Sequence, residues 1–107
     1  MRIDPLATNQ NGSNSLHIAV KLGHFEVVKE LVRLKNYPVD AMKKNGVTAM
    51  GIAASRGNIK MMELLSEKSY LKFVNTQGVG PMFLAIKFNK PDSIRFLLAR
   101  GVPIYNH

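Results

Sequence analysis

The feature that most constrains this chain is a segment that recurs three times. Gly12 to Val20 (GSNSLHIAV), Gly46 to Ala54 (GVTAMGIAA) and Gly78 to Ile86 (GVGPMFLAI) each read as a glycine, small or turn-forming residues, a large apolar residue and a short helix around an alanine. Their starts are 34 and 32 residues apart. A near-constant period of this length marks supersecondary units that stack.

The remainder of each unit repeats as well. A stop follows each first helix at Gly23, Gly57 and Asn89, residue types that accept the left-handed backbone ending a helix. A second helix then begins at Phe25, Ile59 and Pro91. Pro81 and Pro91 suit first-turn positions, where the missing N–H is not needed. Asp92 places an acid near a helix N-terminus. In the first unit Val27, Val28, Leu31, Val32 and Leu34 form an apolar stripe, opposite Glu26, Lys29, Glu30 and Arg33; Ile94, Leu97 and Leu98 repeat it in the third. One helix pair cannot bury such a stripe, whereas stacked pairs can. Ala19, Ala53 and Ala85 allow the close approach this requires. Asn11-Gly12 and Asn45-Gly46 signal tight turns between units, from which short β-hairpins are expected to project.

These residues resemble the ankyrin repeat family, whose unit of about 33 residues carries Thr-Pro-Leu-His-x-Ala, then Gly-His, then an apolar helix. Leu16-His17-Ile18-Ala19 and Gly23-His24 match in the first unit. Thr48, Ala53-Ala54 and Gly57 match in the second; Pro81, Ala85, Leu97-Leu98 and Gly101 match in the third. Ile3 to Ala7 and Gly101 to Ile104 resemble hairpin arms. The resemblance implies an all-α, ankyrin-type solenoid of stacked antiparallel helix pairs linked by short β-hairpin loops. One domain over 1–107 is expected, with a partial arm at 1–11 and repeats at 12–45, 46–77 and 78–107. No unit keeps the full signature. Asn14-Ser15 stands for Thr-Pro in the first; Gly51 stands for His in the second; Gly80 and Phe83 replace Thr and His in the third. Gly51 within a helix costs about 1 kcal/mol relative to Ala. The period gains a residue near Asn36-Tyr37-Pro38 and loses one between Ser69 and Val74. Both ends fall inside a hairpin arm and the last unit carries Phe83, Phe88 and Phe96, so a longer array is expected.

Composition narrows the chemistry. The chain has 107 residues and no cysteine, which excludes disulfides, thiolate metal sites and a cysteine nucleophile. No apolar run nears the roughly 20 residues of a membrane helix, and the N-terminal residues lack a secretory pattern. An intracellular, cytoplasmic location is expected. Three histidines without clustered acids suggest no metal site, and no cofactor or catalytic group is expected. Asn11-Gly12-Ser13 fits a glycosylation triplet by chance. Gly78-Val-Gly80 starts like a phosphate loop, but Phe83 stands where its third glycine belongs. Met61-Met62 reads as core. The resemblance implies that His17 orients its loop by hydrogen bonding to backbone.

Non-enzymatic protein binding is therefore the expected function. The family binds partners on its concave face, at hairpin tips and at the ends of first helices. Carried onto this sequence, these positions include Lys43, Lys44, Asn45, Val47, Thr76 and Gln77 at the tips. Lys21, Leu22, Arg56, Lys87 and Phe88 are the helix-end positions. Lys21, Arg56 and Lys87 would form a basic ladder, with Leu22 and Phe88 as apolar anchors. Fifteen Lys and Arg against seven Asp and Glu leave a formal charge of +8. The expected partner is thus an acidic or mixed acidic–apolar protein segment. Two alternatives share these features: non-specific nucleic-acid binding through the basic face, and a substrate-docking excerpt of a larger enzyme or channel.

Overall fold

The computed structural model describes Thr8, Gln10, residues 12–69, Leu71 and residues 78–104. Its described elements are six helices: α1 Ser15–Leu22, α2 Phe25–Arg33, α3 Ala49–Arg56, α4 Ile59–Leu65, α5 Pro81–Lys87 and α6 Pro91–Ala99. None exceeds nine residues. Helices shorter than about 12–15 residues are marginal alone in water, so each depends on its neighbours.

The local signals place the ends. Asn14 Oδ1 accepts the His17 N–H at 2.9 Å, and Thr48 Oγ1 accepts the Gly51 N–H at 3.2 Å. Pro81 and Pro91 both occupy first turns. The stops repeat as one motif. The N–H groups of Gly23 and His24 donate to Val20 and Ala19; those of Gly57 and Asn58 donate to Ala54 and Ala53; those of Asn89 and Lys90 donate to Ile86 and Ala85. Gly23, Gly57 and Asn89 all take positive φ, at 75°, 67° and 56°. This left-handed residue reverses the chain and lays each second helix back on its first.

The first helices form one layer, with α3 between α1 and α5, and the second helices form another, with α4 between α2 and α6. The core follows the repeat. Leu16, Met50 and Met82 are each buried, as are Ala19, Ala53 and Ala85 one turn on. Leu31, Leu65 and Leu97 close the second layer, and Met61 and Met62 lie inside it. Two polar links join neighbouring pairs: the buried Ser93 hydroxyl donates to Ala54 O at 2.8 Å, and Lys68 Nζ donates to Val32 O.

Three residues of the expected stripes lie outside the core. Val27, Leu34 and Leu98 are all about half exposed. Repeat register explains two of them. Val27 corresponds to Met61 and Ser93, which are buried against the preceding pair. Leu98 corresponds to Val32, which is buried, and to Ser66, which is half-buried, both with a following pair. Among the described residues α2 has no helix pair before it and α6 has none after. Leu34 is one residue past α2, on extended backbone.

The hairpins are minimal. No strand occurs among the described residues. The second connection closes as a turn: Gly46 N–H donates to Lys43 O and Lys43 N–H to Val47 O, both at 2.9 Å. Gly46 sits at φ 83° while Asn45 keeps negative φ. That excludes the two-residue turn suggested by Asn-Gly and fits a three-residue loop with its bulge at glycine. Gly12, also left-handed, lies against the Lys44 backbone; a Cβ there would sit 3.0 Å from Lys44 N.

The extra residue after α2 has a structural use. Asn36 takes φ 63°, and the following Tyr37 is buried with its hydroxyl accepting the Leu16 N–H at 3.1 Å. It thereby satisfies an N-terminal donor of α1 that Asn14 does not reach. Removing that hydroxyl leaves a buried N–H without a partner. Tyr37→Phe is expected to lower unfolding free energy by about 1–2 kcal/mol, read from urea denaturation, at unchanged helical content.

Candidate protein-binding groove

A groove of about 380 Å³ runs across the ends of the first helices and the turn after α2. Seven of the residues singled out in the sequence meet there: Lys21, Lys43, Asn45, Val47, Arg56, Lys87 and Phe88. Leu22 does not line it, although it is 58% exposed, and neither does Lys44, which is exposed at the turn tip. Thr76 and Gln77 lie outside the described residues.

The basic ladder is staggered. By repeat register Lys21, Ser55 and Lys87 are equivalent, and Leu22, Arg56 and Phe88 are equivalent. Arg56 therefore stands one position on from the two lysines. Ser55 supplies no charge and turns its hydroxyl back onto Ile52 O at 2.8 Å. Lys87 Nζ lies 5.7 Å from the centroid of the Phe88 ring, so cation and aromatic share one edge of the groove.

The charges separate between the layers. No carboxylate is among the described residues lining the groove. The first helices carry Lys21, Arg56 and Lys87 and no acid. The second helices are balanced, with Glu26, Glu30, Glu63 and Asp92 against Lys29, Arg33, Lys60 and Arg95. Two exposed i,i+3 pairs, Glu30–Arg33 and Asp92–Arg95, compensate charge there. The first helices are thus purely cationic, whereas the second helices are balanced along their own length and carry further cations, Lys35, Lys68, Lys90 and Arg100, at or just beyond their ends.

The apolar part of the lining is Val79, expected at the third hairpin tip, with Ile52, Phe83 and Leu84, which the sequence did not assign to the site. A comparison at one repeat position shows why. His17 is 2% exposed and closes a capping box: its Nδ1 accepts the Asn14 N–H at 3.0 Å, which leaves Nε2 to donate to Ala41 O at 2.8 Å. Gly51, its equivalent, has no side chain, and a Cβ there would lie 2.8 Å from Leu84 Cδ1. Leu84 instead fills that space from the next unit. Phe83, the third equivalent, cannot accept an N–H, and Gly80 offers no capping side chain. Its ring is left 43% exposed in the groove. The loss of histidine from the signature was visible in the sequence; where the substitutes point was not.

His17 itself is structural. Burial pushes its pKa below the ordinary value of 6.5; the bond to Ala41 opposes that shift and nearby Lys43 adds to it. With the folded value depressed, the unfolded chain takes up the proton first. The stabilising contribution is therefore complete above the unfolded value. It diminishes as pH falls through about 6.5 and levels off below the folded value.

Comparison with known proteins agrees with this architecture. A family model of ankyrin repeats, in three copies, matches residues 2–68 and 16–106. The chain belongs to the ankyrin repeat family. An ankyrin repeat-containing protein of Arabidopsis thaliana is 35% identical over 60 residues, covering 55% of this chain and 12% of that protein. The nuclear factor NF-kappa-B p105 subunit of Gallus gallus is 26% identical over 93 residues, 83% of this chain and 9% of that protein. The ankyrin repeat and SAM domain-containing protein 6 of Mus musculus is 24% identical over 110 residues, 95% of this chain and 12% of that protein. The chain thus spans about a tenth of the length of these relatives. Ankyrin repeats are generally protein–protein interaction modules, and the family is typically non-enzymatic. Among the described residues no helix is long and apolar enough to cross a membrane.

The His17 account predicts that melting temperature falls as pH is lowered from 7.5 to 5.5. In His17→Gln, which retains an N3 acceptor for the capping box, most of that slope should vanish although overall stability is lower. An unchanged slope in the variant would assign it to other groups.

Proposed function

We propose that this chain binds a partner protein through the groove, and that the bound surface is an acidic or mixed acidic–apolar segment. The observation that carries this reading is the make-up of the groove lining. Lys21, Lys43, Arg56 and Lys87 line it together with an apolar floor, without a carboxylate among the described lining residues, while each second helix pairs its cations with acids along its length. Such a field speeds encounter with an acidic partner and disfavours basic ones. The apolar floor then supplies attraction that charge alone does not. It also favours a protein over a nucleic acid, since a phosphate backbone offers nothing to Ile52 or Leu84.

All four cations sit at or near the surface, so reversing them spares the core. Charge reversal (Lys21→Glu, Lys43→Glu, Arg56→Glu, Lys87→Glu) should weaken partner capture at least about ten-fold, as rim charges steer binding and set its salt dependence. The measurement is affinity capture from a cognate lysate with quantitative mass spectrometry, wild type against variant. Proteins retained equally by both would refute the site. A low-salt gel shift of the wild type that reverses in the variant would move the assignment to nucleic acid.

A further inference from the structure

The apolar part of the groove lies between the second and third helix pairs and rests on two departures from the repeat signature. At the position held by buried His17 in the first pair, the second pair has Gly51 and the third has Phe83. Without a side chain at Gly51, Leu84 settles against α3 and remains only 7% exposed. It forms a floor on which no polar group must be satisfied. Phe83, Ile52 and Val79 line the groove with it, and Phe83 is left 43% exposed there. The first pair has no such arrangement, because His17 is drawn inward by its bonds to Asn14 and Ala41.

The cations are placed around this floor rather than on it. Lys21 belongs to α1, on the far side of α3, and Lys87 to the end of α5. Packed helices lie roughly 8–10 Å apart. An extended chain advances about 3.3 Å per residue, so it crosses one helix spacing in about three residues. Measured from the cleft between α3 and α5, α5 is about half a spacing away and α1 about one and a half. A segment laid across the first helices would therefore present one residue to the floor, a residue one or two positions along to Lys87, and a residue about four positions the other way to Lys21.

We infer that the cleft between α3 and α5 is an anchor site. It takes one large aliphatic or aromatic side chain from an extended acidic segment, with one carboxylate one or two residues away on the Lys87 side and another about four residues away on the Lys21 side. This rests on the reading of the groove given above and adds the position of the anchor and the register of the charges. The groove volume of about 380 Å³ is at the low end for ligand pockets, which suits one side chain better than a bulky cofactor.

Three fluorescein-labelled nonapeptides test this by anisotropy at low salt. In the first, made in both chain orders with the tighter binder taken, a central leucine has one glutamate two residues to one side and another four residues to the other, with glycine or serine elsewhere. The second replaces the leucine with serine. The third moves both glutamates next to the leucine. The first should bind about ten-fold tighter than either other peptide, from burial of one side chain and correct charge register. Phe83→Ser should remove the advantage of leucine over serine while leaving the circular dichroism unchanged, because Phe83 is not part of the core. Equal binding of the three peptides, abolished by the four-residue charge reversal, would overturn the anchor and leave the basic groove standing. A leucine advantage that persists in Phe83→Ser would also overturn it. Absence of binding by every peptide, or binding that the charge reversal does not weaken, would remove the groove reading and the anchor together.

Discussion

The architecture depends on contact between helix pairs that cannot stand alone. Seven to nine residues of helix offer too few hydrogen bonds to offset the cost of nucleation. Lateral packing supplies the difference. Ala19, Ala53 and Ala85 keep the first helices close, and Leu16, Met50 and Met82 fill the layer between them. Each such large side chain contributes roughly 1.5–3 kcal/mol on full burial, but only where a neighbour covers it. Val27 shows the dependence directly: its repeat equivalents Met61 and Ser93, which have a described preceding pair, are buried, and it is not.

The groove arises where the repeat is imperfect. A histidine at the signature position faces inward and satisfies two backbone groups, as His17 does. Glycine and phenylalanine at that position release those bonds. Gly51 admits Leu84, and Phe83 turns to the surface. The loop of the second pair is still ordered by its own hydrogen bonds at Lys43, Gly46 and Val47. Capping lost at one position is therefore exchanged for an apolar surface between two units. The charges are distributed to match, since the second helices balance theirs and the first helices do not.

Much of the fold was legible because it repeats. The left-handed stops at Gly23, Gly57 and Asn89, the prolines at first turns, and the alanines between first helices follow from local chemistry, and the structure places them so. Short stretches were less informative where a side chain's destination depends on a distant residue. Tyr37 looked like an insertion, yet its hydroxyl caps a helix 21 residues earlier. Leu84 is equivalent to the exposed Ile18 and the partly buried Ile52, yet the space left by Gly51 lets it settle into the groove floor. Asn45-Gly46 signalled a turn but not its length, because turn length depends on how the flanking arms meet.

The amino-acid sequence by itself determined that this chain is a stack: period, stops, caps and small residues are local features, and local sterics and hydrogen bonding decide them. It also determined the excess of positive charge and the residues that carry it. Only the tertiary structure decided which of those charges share a surface. Lys21 and Lys87 are 66 residues apart in sequence and line one groove, with Arg56 offset between them. Only the tertiary structure decided, too, that Phe83 faces outward while His17 faces inward. Both outcomes depend on what the adjacent unit presents, and packing between units is not encoded in the pattern of any one of them.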